Sequence, residues 1–283
     1  MDALIEHQPS IDVCISDFDI KHDHYQSFTP SQLGIEGDDS NVIFIKGNKL
    51  PSAINISFSG HSKNCRIFIG SGIFGVGSRF VCNASGNVIY IGNKCGLKKV
   101  SLTAAEDNDI VIIGSGVTTT SKNIWTTGHH SGKTGKAIII GDDCMLSFDV
   151  SIRASDGHPV FSTSSMKQLN SPKASVVIEP HCWIGQGAMI LKDVRIGACS
   201  IIAASTVVTK SSERFSLLLG APSTSRPIDG KIWGRNNSEE ARAQAKYWSD
   251  KFSSETSKEE KKTKGKNQLI SRAINFLTFR RCG

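Results

Sequence analysis

Histidine is the side chain best suited to proton transfer near neutral pH, because the ordinary pKa of imidazole lies there. His158 stands in a polar segment, residues 154–174, two positions after Asp156 and directly before Pro159. An imidazole in such a loop can act as a general base toward a hydroxyl, and Asp156 can either orient the ring or hold a turn through backbone amides. On residue types alone, an ordinary surface-loop histidine is the favoured interpretation of His158.

Three further histidines and one tryptophan are candidates for a site. His129 and His130 are adjacent, so they cannot easily face one site from a strand; they indicate an acceptor-binding loop or simply a polar loop. Trp183 precedes an isoleucine that the repeat described below turns inward, so we expect the indole to face outward, toward a site or a neighbouring subunit. His181 is expected to face solvent or an interface.

No metal centre is expected. A zinc site on three imidazoles is an alternative, but the four histidines between 129 and 181 lack a paired spacing in phase with the repeat. The eight cysteines contain no C-x-x-C pair and are interpreted as reduced thiols. Three of them are expected at small inward positions of the core: Cys95, Cys144 and Cys182. The sequence also lacks the glycine-rich fingerprints of phosphate-loop and dinucleotide-binding proteins.

A six-residue repeat must position these side chains. An aliphatic residue recurs at every sixth place from 178 to 208, with a small or β-branched residue four places after each of the first five. Neither a helix, with its period of about 3.6, nor an ordinary alternating strand has this spacing. It predicts short parallel strands that are separated by tight corners, with the aliphatic side chain inward. The aliphatic positions are Ile178, Ile184, Ile190, Ile196, Ile202 and Val208.

The same signature occurs earlier with insertions. Isoleucine followed by glycine begins at Ile69, Ile91, Ile113 and Ile140, with spacings of 22, 22 and 27 residues. These spacings exceed three hexads, so the coils must carry bulges or loops. The next gap, to Ile178, is 38 residues, and the segment 154–174 is expected to leave the coil as a loop.

The regular hexads resemble those of the hexapeptide-repeat acyltransferases, which implies an all-β fold, a left-handed parallel β-helix. Residues 140–222 resemble the sugar O-acetyltransferases of this superfamily, through I-G-D-D-C-M at 140–145, D-G-H-P at 156–159, C-W-I-G at 182–185, T-K at 209–210 and G-A-P at 220–222. With I-W-G-R at 232–235, the chain looks most like the capsular polysaccharide enzymes, including polysialic-acid O-acetyltransferases. The resemblance covers about a third of the chain well and residues 42–139 loosely.

The resemblance implies roles for individual residues. His158 would take the acceptor proton, and Trp183 would lie near the thioester end of acetyl-CoA, the implied cosubstrate. Gly185 and Ala204 would lie along its pantetheine arm. The remaining implied contacts are Thr209 and Lys210 near the phosphates and Pro222 in the closing turn. Many relatives have a basic residue two places after that proline; here Thr224 stands there, and Arg226 is the next basic residue. The resemblance also implies a homotrimer with active sites between subunits.

Charge divides the chain into three parts. Residues 1–40, an acidic N-terminal arm, hold nine acidic residues and one basic residue; residues 41–235, the β-helix domain, hold 21 basic and 11 acidic; residues 236–283 hold 11 basic and six acidic. The arm is expected either to be a partly ordered extension or to pack on the basic body or on a neighbouring subunit. A basic body suits an anionic ligand. Nucleic acid, a phosphorylated cofactor and an acidic polysaccharide all fit that charge, and the resemblance favours the polysaccharide and not nucleic acid.

The C-terminal part is expected to be helical. Asn237 and Glu240 fit a capping box, and the apolar residues 241, 245, 248 and 252 lie on one helical face. Residues 267–283 read as a basic amphipathic helix, which fits docking on an anionic membrane surface or a capsule-assembly partner, or packing on its own protein. No stretch approaches the roughly 20 apolar residues of a membrane span, and the start lacks a secretory signal, so we expect a cytoplasmic protein, peripheral to the inner membrane at most.

The hypothesis is therefore an acetyl-CoA-dependent O-acetyltransferase of an acidic surface polysaccharide, which works by direct transfer. N-acetylation of an amino sugar or nucleotide sugar is a second enzyme hypothesis. A non-catalytic β-helix that binds polysaccharide through its flat faces is a third.

Overall fold

Three sheets, wound by one chain into a left-handed parallel β-helix, form the body of the protein. The computed structural model describes residues 2–254 in two units, which divide after Trp233. The strands of the first sheet are β1 (Gln26–Phe28), β2 (Val42–Ile45), β4 (Arg66–Ile69), β7 (Val88–Ile91), β10 (Ile110–Ile113), β13 (Ala137–Ile140), β16 (Val176–Ile178) and β19 (Arg195–Ile196).

The other two sheets complete the triangular coil. The second contains β5 (Phe74–Val76), β8 (Gly96–Lys98), β11 (Thr118–Thr119), β14 (Met145–Leu146), β17 (Trp183–Ile184), β20 (Ile201–Ile202), β22 (Ser216–Leu219) and β23 (Thr224–Pro227). The third contains β3 (Ile54–Phe58), β6 (Ser78–Cys82), β9 (Val100–Ala104), β12 (Asn123–Thr126), β15 (Val150–Arg153), β18 (Met189–Ile190) and β21 (Val207–Val208). All pairings are parallel except β1 with β2 and β22 with β23.

The inward isoleucines stack in one ladder, as their spacing predicts. Ile69, Ile91, Ile113, Ile140 and Ile178 occupy matching places on successive strands of the first sheet, and each is fully buried. The three cysteines that were predicted as inward core residues are also fully buried. The parallel coil predicted from the hexads and the left-handed β-helix implied by the resemblance are therefore confirmed, and the core is the interior of the coil.

The corners explain the glycine after each early isoleucine. A Cβ at Gly92 would lie 2.6 Å from the backbone nitrogen of Ser115 in the next coil, so only glycine fits there. Two residues farther on, the corner needs a left-handed backbone, and non-glycine residues accept it: φ is 55° at Lys94, 57° at Asp143 and 55° at His181.

The long coils place their extra residues at one corner. Segment 127–136 follows β12 and precedes β13, and segment 154–175 follows β15 and precedes β16. Both therefore leave the β-helix where the third sheet passes to the first, in neighbouring coils. This placement puts His130 and His158 on the same edge of the molecule.

The acidic N-terminal arm covers the first sheet of its own chain. Helix α1 (Asp2–Cys14) packs against the outer face of that sheet, and Ile11 and Cys14 are fully buried there. Farther along the same face, Phe44 and Phe68 stack with ring centroids 4.6 Å apart. One-turn 3-10 helices follow at His22–His24 and Ser31–Leu33. The first sheet is thus apolar on both faces, which the hexad pattern did not predict.

The second unit begins after the β-helix. Residues 239–254 are helical, as expected, but the capping box predicted at Asn237 is wrong: the Ser238 hydroxyl accepts the backbone N–H of Ala241 at 3.2 Å. The rings of Trp248 and Phe252 stack on one face of this helix, with centroids 5.9 Å apart. No helix within residues 2–254 is long and apolar enough to cross a membrane. The amphipathic segment 267–283 lies outside the described residues.

Candidate active site

The extruded segment 154–174 forms a small hairpin. Phe161 pairs with Gln168 in an antiparallel bridge, and the Leu169 N–H donates to the Val160 carbonyl at 2.8 Å. The Gln168 amide nitrogen donates to the Ser131 carbonyl at 2.8 Å, which ties the hairpin to the neighbouring loop 127–136. The segment is therefore an ordered projection, and it presents His158 near its base.

His158 lies beside His130. Their exposed rings are nearly parallel, at 13°, with centroids 5.9 Å apart. The centroid of the His129 ring lies 6.0 Å from that of His130, and the two ring planes are inclined by 44°. The backbone of His130 is left-handed, with φ of 53°, and this turn separates the directions of the two adjacent side chains. The sequence did not predict that one of the two would lie beside His158, because the contact joins two insertions in different coils.

Asp156 does not orient the His158 ring. Its carboxylate accepts hydrogen bonds from the Lys192 ammonium and, at 2.8 Å, from the Asn170 amide nitrogen. The same Asn170 amide donates to the His158 carbonyl at 2.8 Å, and Lys192 donates to the Asn170 carbonyl at 2.6 Å. Asp156, Asn170 and Lys192, which we call the loop clamp, therefore fasten the start and the end of the hairpin to the coil.

The electrostatics of the clamp favour a charged Asp156. Partial burial acts to raise the pKa of this carboxyl, but the hydrogen bonds from Lys192 and Asn170 outweigh it, and the charges of Lys192 and Arg153 add to them. The pKa of Asp156 therefore lies below its ordinary value. Both earlier interpretations of Asp156, a partner of the imidazole and a turn former through backbone amides, are replaced by this role.

A buried polar network supports the loop that carries His130. The Lys136 ammonium lies 2.6 Å from a Glu106 oxygen and 3.2 Å from an Asp109 oxygen, and the Thr127 hydroxyl donates to Asp109 at 2.5 Å. Burial raises the pKa of Asp109, although Thr127 and Lys136 act against it. Ser131 donates to Glu106 at 2.8 Å. The base of segment 127–136 is thus fixed by charge-assisted bonds.

Trp183 faces outward on the second sheet, as predicted, with 38% of its surface exposed. His181, two residues earlier, was expected to face outward and is instead 1% exposed. Its Nδ1 lies 2.8 Å from an Asp143 oxygen, and its ring stacks on Trp233 at 4.3 Å. The left-handed backbone at this corner turns the His181 ring inward, and Trp233 from the I-W-G-R motif packs over the ring and shields it from solvent. Trp233 also lies 6.4 Å from Trp183.

The second sheet aligns Trp183 with the basic residue nearest the chain's closing turn. Trp183 pairs with Ile201, Ile201 with Leu217, and Leu217 with Arg226. Three strand spacings separate Trp183 from Arg226, about 14 Å at the usual distance between strands. An extended ligand arm laid along this column would have an indole at one end and a guanidinium at the other.

The remaining predicted contacts lie at two corners of the coil and in one turn. Gly185 and Ala204 lie at the corner after the second sheet, where a Cβ on Gly185 would lie 2.7 Å from the Ala204 nitrogen, so coil packing alone demands this glycine. Pro222 lies in the turn between β22 and β23. Thr209 and Lys210 are exposed after β21, at the corner of the third sheet from which the His158 loop leaves.

In one chain the predicted residues therefore form two groups. Trp183 and Arg226, with Gly185, Ala204 and Pro222 near them in the fold, belong to the second sheet and the turns that adjoin it. His158, Asp156, Thr209 and Lys210 belong to the corner between the third and first sheets. Within the part of the chain that the structure describes, no group of three or more His, Cys, Asp or Glu side chains is arranged to hold a metal ion.

Comparison with known proteins agrees with this fold. Residues 175–210 match the family model for the bacterial transferase hexapeptide (six repeats). Over 105 residues the chain is 33% identical to a polysialic acid O-acetyltransferase from Escherichia coli O1:K1 / APEC, and the match covers 36% of this chain and 33% of that protein. Over 125 residues it is 30% identical to the polysialic acid O-acetyltransferase of Neisseria meningitidis, covering 38% of this chain and 56% of that protein. The matches thus span a third and about half of these relatives.

Solved structures share the architecture. The polysialic acid O-acetyltransferase OatWY superimposes with a TM-score of 0.52 at 22% identity, covering 65% of this chain and 93% of that one. The polySia-specific acetyltransferase NeuO gives 0.51 at 24% identity, covering 78% and 91%. At these identities the likeness establishes the fold. Together with the family match, it confirms the predicted resemblance to hexapeptide-repeat transferases.

Proposed function

Because the chain carries the repeats of the bacterial transferase hexapeptide family, we propose that it is an acetyl-CoA-dependent O-acetyltransferase that modifies a hydroxyl of an acidic surface polysaccharide. The exposed imidazole of His158, on a loop fastened to the coil at both ends, carries this proposal. The relatives that are named polysialic acid O-acetyltransferases support the acceptor class, and the basic body supports its charge.

The proposed reaction is direct transfer. His158 takes the proton of the acceptor hydroxyl while the hydroxyl oxygen attacks the thioester carbonyl, and the imidazolium then returns the proton to the leaving thiolate. A backbone N–H or the Trp183 indole N–H would donate to the carbonyl oxygen as it gains negative charge. The Trp183–Arg226 column would hold the acyl carrier, with Arg226 near its phosphates.

A second copy of the chain would complete this site. His158 and Trp183 belong to different sides of one β-helix, so an active site that uses both needs another subunit to supply one of them. A homotrimer around the helix axis, with one site at each interface, satisfies this need. Since acetyl-CoA is the proposed donor, we assign the reaction to the cytoplasm.

The test is thiol release from acetyl-CoA in the presence of acidic and neutral capsular polysaccharides. His158→Ala should reduce acceptor-dependent turnover by about 10²–10⁴, the usual contribution of a general base. His129→Ala is the matched control, because this exposed histidine lies in the neighbouring loop, whereas the ring that lies beside His158 is that of His130. Near-full turnover by His158→Ala would remove the proposed base. Release with amino-sugar acceptors alone would favour the N-acetyltransferase alternative.

A further inference from the structure

His181 and Asp143 form a histidine–carboxylate pair that the proposed reaction does not use. The two residues occupy the same corner in successive coils, and His181 Nδ1 lies 2.8 Å from an Asp143 oxygen. The other ring nitrogen, Nε2, lies 3.1 Å from the Trp233 carbonyl, and the ring is buried. A general base needs a ring nitrogen that can reach the proton it abstracts. Since both nitrogens of His181 are engaged inside the protein, this pair holds structure in place and does not transfer protons.

Trp233 is the residue that this pair holds. Its indole N–H donates to the His181 carbonyl at 2.8 Å. Its ring stacks on the imidazole, with centroids 4.3 Å apart and planes inclined by 14°. Together with the contact between Nε2 and the Trp233 carbonyl, these interactions join two residues that are 52 positions apart in the chain. The position of the buried Trp233 ring is therefore fixed by three separate contacts with His181.

Trp233 in turn lies beside the indole of Trp183. Their ring centroids are 6.4 Å apart and their planes are inclined by 41°, a separation at which aromatic rings attract each other. Trp183 stands outward on the two-residue strand β17, so its neighbours on the outer face decide where its ring points. Met145 and Ile201 flank it along the sheet. Trp233, seated on the corner residue His181, supplies the aromatic neighbour.

We infer that Trp233 is a positioning residue for the acyl carrier: its ring, locked on His181, holds the Trp183 indole in the orientation that the thioester end of acetyl-CoA contacts. The inference rests on the proposed function, which places Trp183 at that end of the carrier. A side chain that is ordered before the ligand arrives loses less entropy on binding, so affinity improves. An aromatic pair of this kind corresponds to about two- to tenfold in affinity.

The direct test is a double-mutant cycle on acetyl-CoA binding, measured by titration calorimetry without an acceptor. Trp233→Leu should weaken the Kd about two- to tenfold, and Trp183→Ala should weaken it at least as much. Because Trp233 acts through Trp183, the double variant should bind acetyl-CoA no more weakly than Trp183→Ala alone. Two effects that multiply, or native affinity in Trp233→Leu, would overturn the inference. The same cycle with Trp233→Phe serves if the leucine variant fails to fold.

Controls separate positioning from general stability. Trp125→Leu is the matched control, because Trp125 is also a buried tryptophan but points into the core from the third sheet. It should lose stability and keep the native Kd for acetyl-CoA. In turnover, Trp233→Leu should raise the KM for acetyl-CoA and leave the KM for the polysaccharide unchanged. An equal rise in both KM values would mean a general loss of structure and would overturn the positioning role.

The cycle also separates this inference from the proposed function. If Trp183→Ala weakens acetyl-CoA binding and Trp233→Leu does not, the inference is wrong and the proposed function stands. If Trp183→Ala binds acetyl-CoA as the native chain does, the donor site proposed at Trp183 fails, and the positioning role of Trp233 fails with it.

Discussion

Asp156→Ala should loosen the extruded hairpin while the β-helix stays folded. The substitution removes the acceptor of two hydrogen bonds, from Lys192 and from Asn170. It leaves the Lys192 bond to the Asn170 carbonyl and the Asn170 bond to the His158 carbonyl. Hydrogen bonds to charged groups contribute roughly 1.5–3 kcal/mol each, and exposed ion pairs about 0–1 kcal/mol. Because the Asp156 side chain is 44% exposed, solvent screens these bonds, and we expect their combined contribution to be about 1–2 kcal/mol.

This magnitude fixes the expected change in rate. If His158 acts only when the hairpin is fastened, a loss of about 1.4 kcal/mol lowers kcat/KM about tenfold. Asp156→Asn keeps an oxygen acceptor for one of the two donors, so it should lose less, about two- to threefold. Hydrogen exchange at the Leu169 amide, which bonds to Val160 within the hairpin, should speed up in the alanine variant.

The same clamp has a predicted pH dependence. Because the pKa of Asp156 is lowered in the folded chain, its contribution is present above the ordinary carboxyl pKa and is lost as pH falls through the folded pKa. Hairpin protection should therefore weaken only in acid. The reasoning is refuted if Asp156→Asn is as damaging as Asp156→Ala and both lose about 10⁴ in rate, since that is the behaviour of a carboxylate that orients a catalytic imidazole.

Three predictions concern the scaffold. Ile11→Ala should lower the free energy of unfolding, measured in urea, by about 2–4 kcal/mol, because this side chain of α1 is fully buried against the first sheet. A loss below about 1 kcal/mol would mean that the helix is not docked. Burial acts to raise the pKa of Asp19, but Lys46 and His24 hold this pKa at about 2, so the carboxylate should stabilise the fold above the unfolded carboxyl pKa and lose that effect as pH falls toward 2. Asp19→Asn should therefore reduce the fall in unfolding free energy between these two pH values, and an unchanged fall would contradict the prediction. Glu179→Gln should lower the free energy of unfolding by about 2–4 kcal/mol, since the buried carboxylate accepts hydrogen bonds from the guanidinium groups of Arg195 and Arg214. A melting temperature equal to that of the native chain would show that these bonds do not stabilise the fold.

The repeat made the interior of the fold predictable. Aliphatic residues at every sixth place are all buried only when successive coils stack in register, and Ile91, Ile113 and Ile140 stack in this way. The outer face of the first sheet was predictable in principle but was missed. Strands β7, β10 and β13 are apolar at nearly every residue, which is typical of strands that are buried on both faces. That pattern could have indicated that the N-terminal arm packs there.

The site was predictable only in part. The place of His158 in an extruded loop and the outward direction of Trp183 followed from the repeat. The partners of Asp156 did not, because Lys192 is 36 residues away and meets it only through the stacking of neighbouring coils. The prediction that His181 faces solvent or an interface was wrong for a local reason. The backbone of His181 is left-handed at its corner and turns the ring inward, and the residue type does not indicate such a turn.

The most direct test of the central claim is transfer of labelled acetyl from acetyl-CoA to an acidic surface polysaccharide, followed by isolation of the polymer. The account predicts ester-linked label on the polymer with the native chain, retained with His129→Ala and reduced by about 10²–10⁴ with His158→Ala. Equal label with His158→Ala, or label that resists mild alkali and is therefore on an amine, would contradict it.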